Sequence, residues 1–230
     1  MYLLNKVKQQ KNIELYKYWN SLREGNLAPH RFQIDPSDIC KVLSETFILE
    51  HEQVHSYKFR LAGTKICSHF GRELKHTHFL DLWAYDDRQA LMSLTDCVTK
   101  DAAVGVCDFL AVAKNGQTIS YETLLLPLLY QDNVIRRILG TMIAGSHPYW
   151  LGVSQIEKVS LSAVRLFWPD TYEDKHHSLQ TSPNVVKATQ KTSLSYNNVV
   201  SFDNRDYTVI TKDNREFRVY NGGLASSDTD

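Results

Sequence analysis

The side chains with the widest chemical reach in this 230-residue chain are nine histidines and four cysteines, and their spacing limits what they can do. His76 and His78 alternate, and alternate residues on a strand share a face, which is half of a metal site. No third or fourth ligand follows at a defined spacing, so the pair is expected at a surface or a pocket rim, as are the weaker His176-His177. Haem ligation by His69 or His78 is conceivable, but nothing selects either residue. His51-Glu52 sets an imidazole beside a carboxylate, yet no nucleotide-binding segment follows it. Cys40, Cys67, Cys97 and Cys107 are widely separated, with no Cys-x-x-Cys, which reads as buried reduced thiols rather than a disulfide or metal set. There is no Gly-x-Ser-x-Gly elbow and no glycine-rich phosphate loop. Arg60 and Glu122 fall on β-rich runs and read as a cross-strand pair, not a catalytic one. No catalytic or metal-binding residue is assigned, no cofactor is specified, and an enzyme is not expected.

The bulk properties agree with a folded protein that is not built on phosphate contacts. Hydrophobic residues make up 43% of the chain, enough apolar surface to offset ordering entropy. Lys+Arg and Asp+Glu both number 26, and this balance argues against nucleic acid as the main partner. No secretory signal is visible, and the longest apolar run, Leu124 to Tyr130, is too short for a membrane span and carries Pro127. A cytoplasmic protein is expected.

Several elements would position the candidate residues. Ile13, Leu15, Tyr16, Trp19 and Leu22 make an apolar stripe on a helix over 7–24, stopped by Gly25. Asp35 and Pro36 read as the N-cap and first position of a short helix with Ile39, Val42 and Leu43 inward. The runs 46–53 and 56–63 read as paired strands, with Tyr57, Phe59 and Leu61 on one face and Lys58 and Arg60 on the other. A short helix ends at Gly71, and a longer one follows Asp86. Three β-runs come next, the first two joined at Asn115-Gly116 as a two-residue hairpin. The third carries Arg136 and Arg137. The run 156–168 is a further strand, and a late hairpin is centred on Lys212-Asp213-Asn214. This order predicts an α+β fold: a five-stranded antiparallel sheet with helices on one face, an N-terminal helix and a C-terminal extension.

Two strands, a helical insert and a three-stranded meander are also the plan of a PAS domain. The chain resembles a stand-alone bacterial PAS family known mainly from alphaproteobacteria. The resemblance rests on Tyr18-Trp19, Ile34-Asp35-Pro36, Phe59-Arg60-Leu61-x-Gly63-Thr64, Phe70-Gly71-Arg72 and Leu139-Gly140, with Pro148-Tyr149-Trp150-Leu151-Gly152 and Val219 to Gly223 later. It covers about residues 1 to 168 well and implies a sensing or regulatory role with no fixed ligand. It divides the chain into an N-terminal helical region (1–45), a PAS-like domain with an extra C-terminal strand (46–168) and a polar, partly flexible extension (169–230). The helix that carries a reactive cysteine in light-sensing relatives here lacks the Asn-Cys-Arg-Phe stretch around Cys67.

A sheet with helices on one face encloses a space. The side chains expected to line it are Phe59, Leu61, Phe70, His78, Phe79, Leu82, Trp83 and Phe109. Two readings stay open: a pocket for a small ligand, or a core filled by these same rings. Ile13, Tyr16 and Trp19 on the first helix, with Arg60, Arg136 and Arg137 on the outer sheet, are the expected contacts for a protein partner. The function these features imply is a PAS-type sensor without its own output domain, acting on a signalling partner and modulated by a small ligand. The alternatives are a ligand-free interaction or scaffold module and, behind it, an unrecognised enzyme. A homodimer is expected, since two-fold assemblies are common.

Overall fold

In the computed structural model, six long strands and one two-residue strand form a single antiparallel sheet. The structure describes residues 7–53, 56–130 and 134–169, and the backbone of 207–212 and 215–220. The strands are β1 (Thr46–Gln53), β2 (Ser56–Ala62), β3 (Val104–Ala113), β4 (Thr118–Leu129), β5 (Ile135–Thr141), β6 (Ile143–Ala144) and β7 (Ile156–Phe167). Their order is β2-β1-β5-β4-β3-β7, with β6 beside β4. The α+β reading is correct, but the sheet has seven strands, not five, because β7 pairs along the whole length of β3 and β6 adds a short bridge. A separate hairpin pairs β8 (Tyr207–Lys212) with β9 (Arg215–Tyr220), as its sequence predicts. The expected flexibility of the rest of the tail lies outside the described residues.

Both faces of the sheet are covered. Helices α2 (Thr64–Phe70) and α3 (Arg88–Lys100) lie on the inner face, where Ile66, Phe70, Leu91, Leu94 and Val98 join strand residues such as Phe47, Phe59, Phe109 and Leu125. Helix α1 (Gln10–Leu22) lies on the outer face, where Ile13, Leu15 and Trp19 pack with Val104, Val106, Leu124, Leu126 and Leu139. The central strands therefore read as continuous apolar runs, and Leu124 through Leu128 are all buried.

Three local expectations fail for identifiable reasons. The segment after Pro36 is a run of turns ending in a 3-10 turn at Leu43–Glu45, not a helix. Asp35 Oδ1 accepts the N–H of Ser37, two residues on, closing an Asx turn where a cap was expected. Ile39 and Val42 still point inward, while Leu43 is partly exposed. The β3–β4 hairpin has a three-residue loop: Ala113 pairs with Gln117 and Gly116 alone has a positive φ, of 79°. One left-handed residue gives a turn with a bulge, whereas the two-residue form needs two. Finally, β2 does not alternate throughout. Leu49 pairs with Phe59 and Ile48 with Leu61, leaving Arg60 as the extra residue of a bulge.

Candidate functional site

The inner face is the first place to look for a ligand, and its aromatic rings touch one another in a continuous chain. Phe59 meets Phe47 at 5.4 Å between centroids and Phe79 at 5.9 Å. Phe79 meets Trp83 at 5.7 Å, Trp83 meets Phe109 at 5.0 Å, and Phe109 stacks on Tyr121 at 4.9 Å. Such separations are those of packed aromatic pairs, so these rings pack against one another between the sheet and the helices. Phe59, Phe70, Phe79, Leu82, Trp83 and Phe109 all lie in this cluster, where the sequence placed them.

Two of the eight expected lining residues do not. Leu61 is 42% exposed and pairs with Ile48 of the outer face, because the bulge at Arg60 reverses the alternation on which its assignment rested. His78 is exposed, with its Nδ1 3.3 Å from the Ser56 hydroxyl.

The polar atoms of the inner face are few. Tyr121 Oη lies 2.9 Å from His69 Nδ1, and both side chains are buried. Burial, with His147 adding to it, holds the His69 imidazole below its ordinary titration range. Burial likewise pushes the Tyr121 phenol well up, and the fully buried Cys107 thiol up to about 12. Such a thiol stays protonated and is no nucleophile. All four cysteines are free, and Cys40 is exposed rather than buried as expected. Among the described residues, Trp83 Nε1 is buried without a hydrogen-bond partner, and no group of histidines, cysteines and acids is placed to hold a metal.

The outer face carries a charged network that sequence reasoning missed. Glu122, 3% exposed on β4, receives the backbone N–H groups of Lys8 (2.7 Å) and Gln9 (2.9 Å) and the Asn12 amide (2.9 Å). It thus serves the start of α1, where unpaired N–H groups and the helix dipole favour an anion. Asn12 in turn accepts the Thr141 hydroxyl at 2.6 Å. Arg165 reaches Asp108 through both terminal nitrogens at 2.7 Å and Glu122 at 3.4 Å, and Lys8 Nζ reaches Asp108 at 2.6 Å. Burial alone would raise the Asp108 carboxyl, but Arg165 and Lys8 outweigh it and hold the group below its ordinary range. Lys11 of α1 adds a bond to the buried Glu45. The signal in the sequence was an acid, Glu122, inside an otherwise apolar run. Arg60 is not its partner as expected. Arg60 pairs with Glu50, two strands away from β4.

This docking settles the fate of the first helix. Ile13 and Trp19 are buried on the chain's own sheet, and Tyr16 is half-buried with its ring 5.5 Å from that of Phe167. Ile13 and Trp19 are therefore corrected from partner contacts to core, and Tyr16 packs against that core. Arg136 and Arg137 also part company. As neighbours on a strand they point to opposite faces, Arg137 toward the outer face beside Leu139 and Arg136 away from it.

What remains open on the outer face is the β2–β1–β5 corner. A groove of about 440 Å³ there is lined by Ile48, Leu61 and Leu129, by the pair His30 and Phe32, and by Arg31, Arg60 and Arg137 beside Tyr130. Glu50 holds both guanidinium groups: Oε1 accepts Arg137 at 2.6 Å and Oε2 accepts Arg60 at 3.0 Å. Arg137 also lies 4.7 Å over the Tyr130 ring.

A family model described as PAS domain matches residues 7–143. The chain belongs to the PAS domain family. The matched span starts at Val7 and so takes in α1 and the Glu122 that receives its N-terminus, as well as β1 to β5. Membership makes the chain a sensory or regulatory module in the coarse sense. No curated protein matches it. Among solved structures it is similar to the light-state structure of the blue-light photoreceptor Aureochrome1 LOV (16% identity, TM-score 0.37, covering 47% of this chain and 87% of that one). It is similar also to the dark structure of the same receptor (16%, 0.38, 48% and 82%). A light-oxygen-voltage domain studied with a flavin analogue is a third (14%, 0.37, 49% and 85%). Among the described residues, no helix is long and apolar enough to cross a membrane.

Proposed function

We propose that this PAS-family chain is a regulatory module that works through protein contacts at the outer corner of its sheet, and not through catalysis. The observation that carries this reading is the contrast between the two faces. The inner face is filled by rings in mutual contact, while the β2–β1–β5 corner presents apolar and cationic side chains to solvent. Buried polar groups near the rings offer no nucleophile beside a free base, since the Cys107 thiol is held protonated and His69 is engaged by Tyr121. A homodimer would have to use a surface other than the α1 stripe, which the chain's own sheet covers.

Photo-cross-linking tests this. A benzophenone amino acid at position 61 is expected to capture a discrete partner in the native cell, and the same probe at the exposed Tyr85 position, on the helical side, is not. Equal capture from both positions, or none from position 61, contradicts the proposal.

One observation favours a second reading. The buried Trp83 N–H has no protein acceptor among the described residues, and a small ligand that accepted from it would make the inner face a sensor.

A further inference from the structure

We infer that the groove at the β2–β1–β5 corner docks an acidic peptide segment bearing an aliphatic or aromatic anchor, contributed by a partner protein. This rests on the proposed interaction role and names the chemistry of the partner.

The floor of the groove is apolar, from Ile48, Leu61 and Leu129. Phe32 stands 81% exposed at its rim with the His30 ring stacked 5.1 Å away, so a large ring faces water with little cover of its own. Aromatic side chains presented in this way are typical anchors of binding surfaces. The charge is one-sided. Among the described residues, three arginines and no acid line the groove, and Glu50 beside it pairs with two of them.

Glu50 also fixes the geometry. Burial pushes its carboxyl up, but Arg137 and Arg60 outweigh burial and keep it below its ordinary range, so it stays ionised and pins both guanidinium planes. Pinned guanidinium groups accept a carboxylate with little further loss of side-chain freedom. The groove is open along one side, on the surface of a sheet. That shape suits a peptide laid across it better than a small molecule, which is commonly enclosed over most of its area.

The test uses the full chain and fluorescence anisotropy with labelled synthetic peptides. One probe has a Leu-Phe pair flanked by glutamates. A second replaces the glutamates by glutamine, a third replaces Leu-Phe by Ser-Ser, and a fourth replaces the glutamates by lysine. Saturable binding of the first probe alone is expected, weakening with added salt. Arg60→Glu and Phe32→Ala, both at exposed positions, are each expected to weaken it about tenfold or more, Phe32→Ala with an unchanged melting temperature and Arg60→Glu with a folded chain that has lost only its surface pair with Glu50. Arg60→Glu is further expected to gain binding of the lysine probe. The inference is overturned if no probe binds, if the glutamine probe binds equally well, or if the variants leave binding unchanged. It is overturned also if sodium decanoate saturates the groove while the peptides do not, since that marks a site for small amphiphilic anions. Failure here with continued cross-linking from position 61 removes only the acidic chemistry; loss of that cross-link removes the interaction role itself.

Discussion

The indole N–H of Trp19 donates to the carbonyl of Pro127 at 2.9 Å, tying the last turn of α1 to the C-terminal end of β4. Trp19 is fully buried, and Pro127 has no N–H of its own to give to the ladder. One bond thus joins the helix that covers the outer face to the strand beneath it. Trp19→Phe should keep most of the packing and remove the indole bond to the Pro127 oxygen, at a cost of about 1–2 kcal/mol. Trp19→Ala should cost about 3–5 kcal/mol. Urea unfolding of the two variants checks both, and equal losses would mean that the hydrogen bond contributes nothing separable.

Glu122 should control α1 without controlling the sheet. Glu122→Gln turns one acceptor oxygen into a donor facing the Lys8 N–H and Arg165, groups that already donate. A loss of about 2–4 kcal/mol is expected. Hydrogen exchange should show amides of residues 10–22 opening before those of β3 and β4. Uniform acceleration across the chain would show instead that α1 and the sheet open as one unit.

The Trp83 pair of variants separates a filled core from a sensor. Trp83→Phe removes a buried donor that has no partner, and its lost volume is partly offset, so a net cost under about 1 kcal/mol is expected. Trp83→Ala should cost about 3–5 kcal/mol, since it opens a cavity beside Phe79 and Phe109. A cost for Trp83→Phe approaching that of Trp83→Ala would show that the N–H is in use.

Acid should loosen the fold through His69 first. Its folded titration point is depressed by burial, so the stability linked to its neutral form is present above the unfolded value of about 6.5 and is lost as pH falls below it. Asp108, also depressed, contributes above about pH 3.9 and loses that contribution as pH falls through its folded value. His69→Gln should therefore flatten the decline of the urea midpoint between about pH 7 and 5 and leave the steeper acid limb in place. An unchanged slope in that variant would assign the decline to another group.

The fold was legible where pattern and period agree. The strand runs, the α1 stripe and the helix closed at Gly71 follow from alternation, helical spacing and glycine placement. Asp35 misled because a side chain that can cap a helix can equally close a turn on its own backbone. Leu61 misled because one inserted residue reverses every later side chain on a strand, and no local signal at Arg60 announces the insertion. The face covered by α1 was hidden for a different reason. An amphipathic stripe names an apolar neighbour without saying whether it belongs to the same chain, and the deciding contacts to Glu122 lie more than a hundred residues away. The groove depends on the same bulge, so its residues could be named singly but not brought together.

Native mass spectrometry of the purified full chain weighs the filled inner face against a sensing pocket most directly. The account predicts wild type and Trp83→Phe each at the mass of its own bare polypeptide, with no retained small molecule in either. A small molecule retained at one per chain in the wild type and lost in that variant would contradict it.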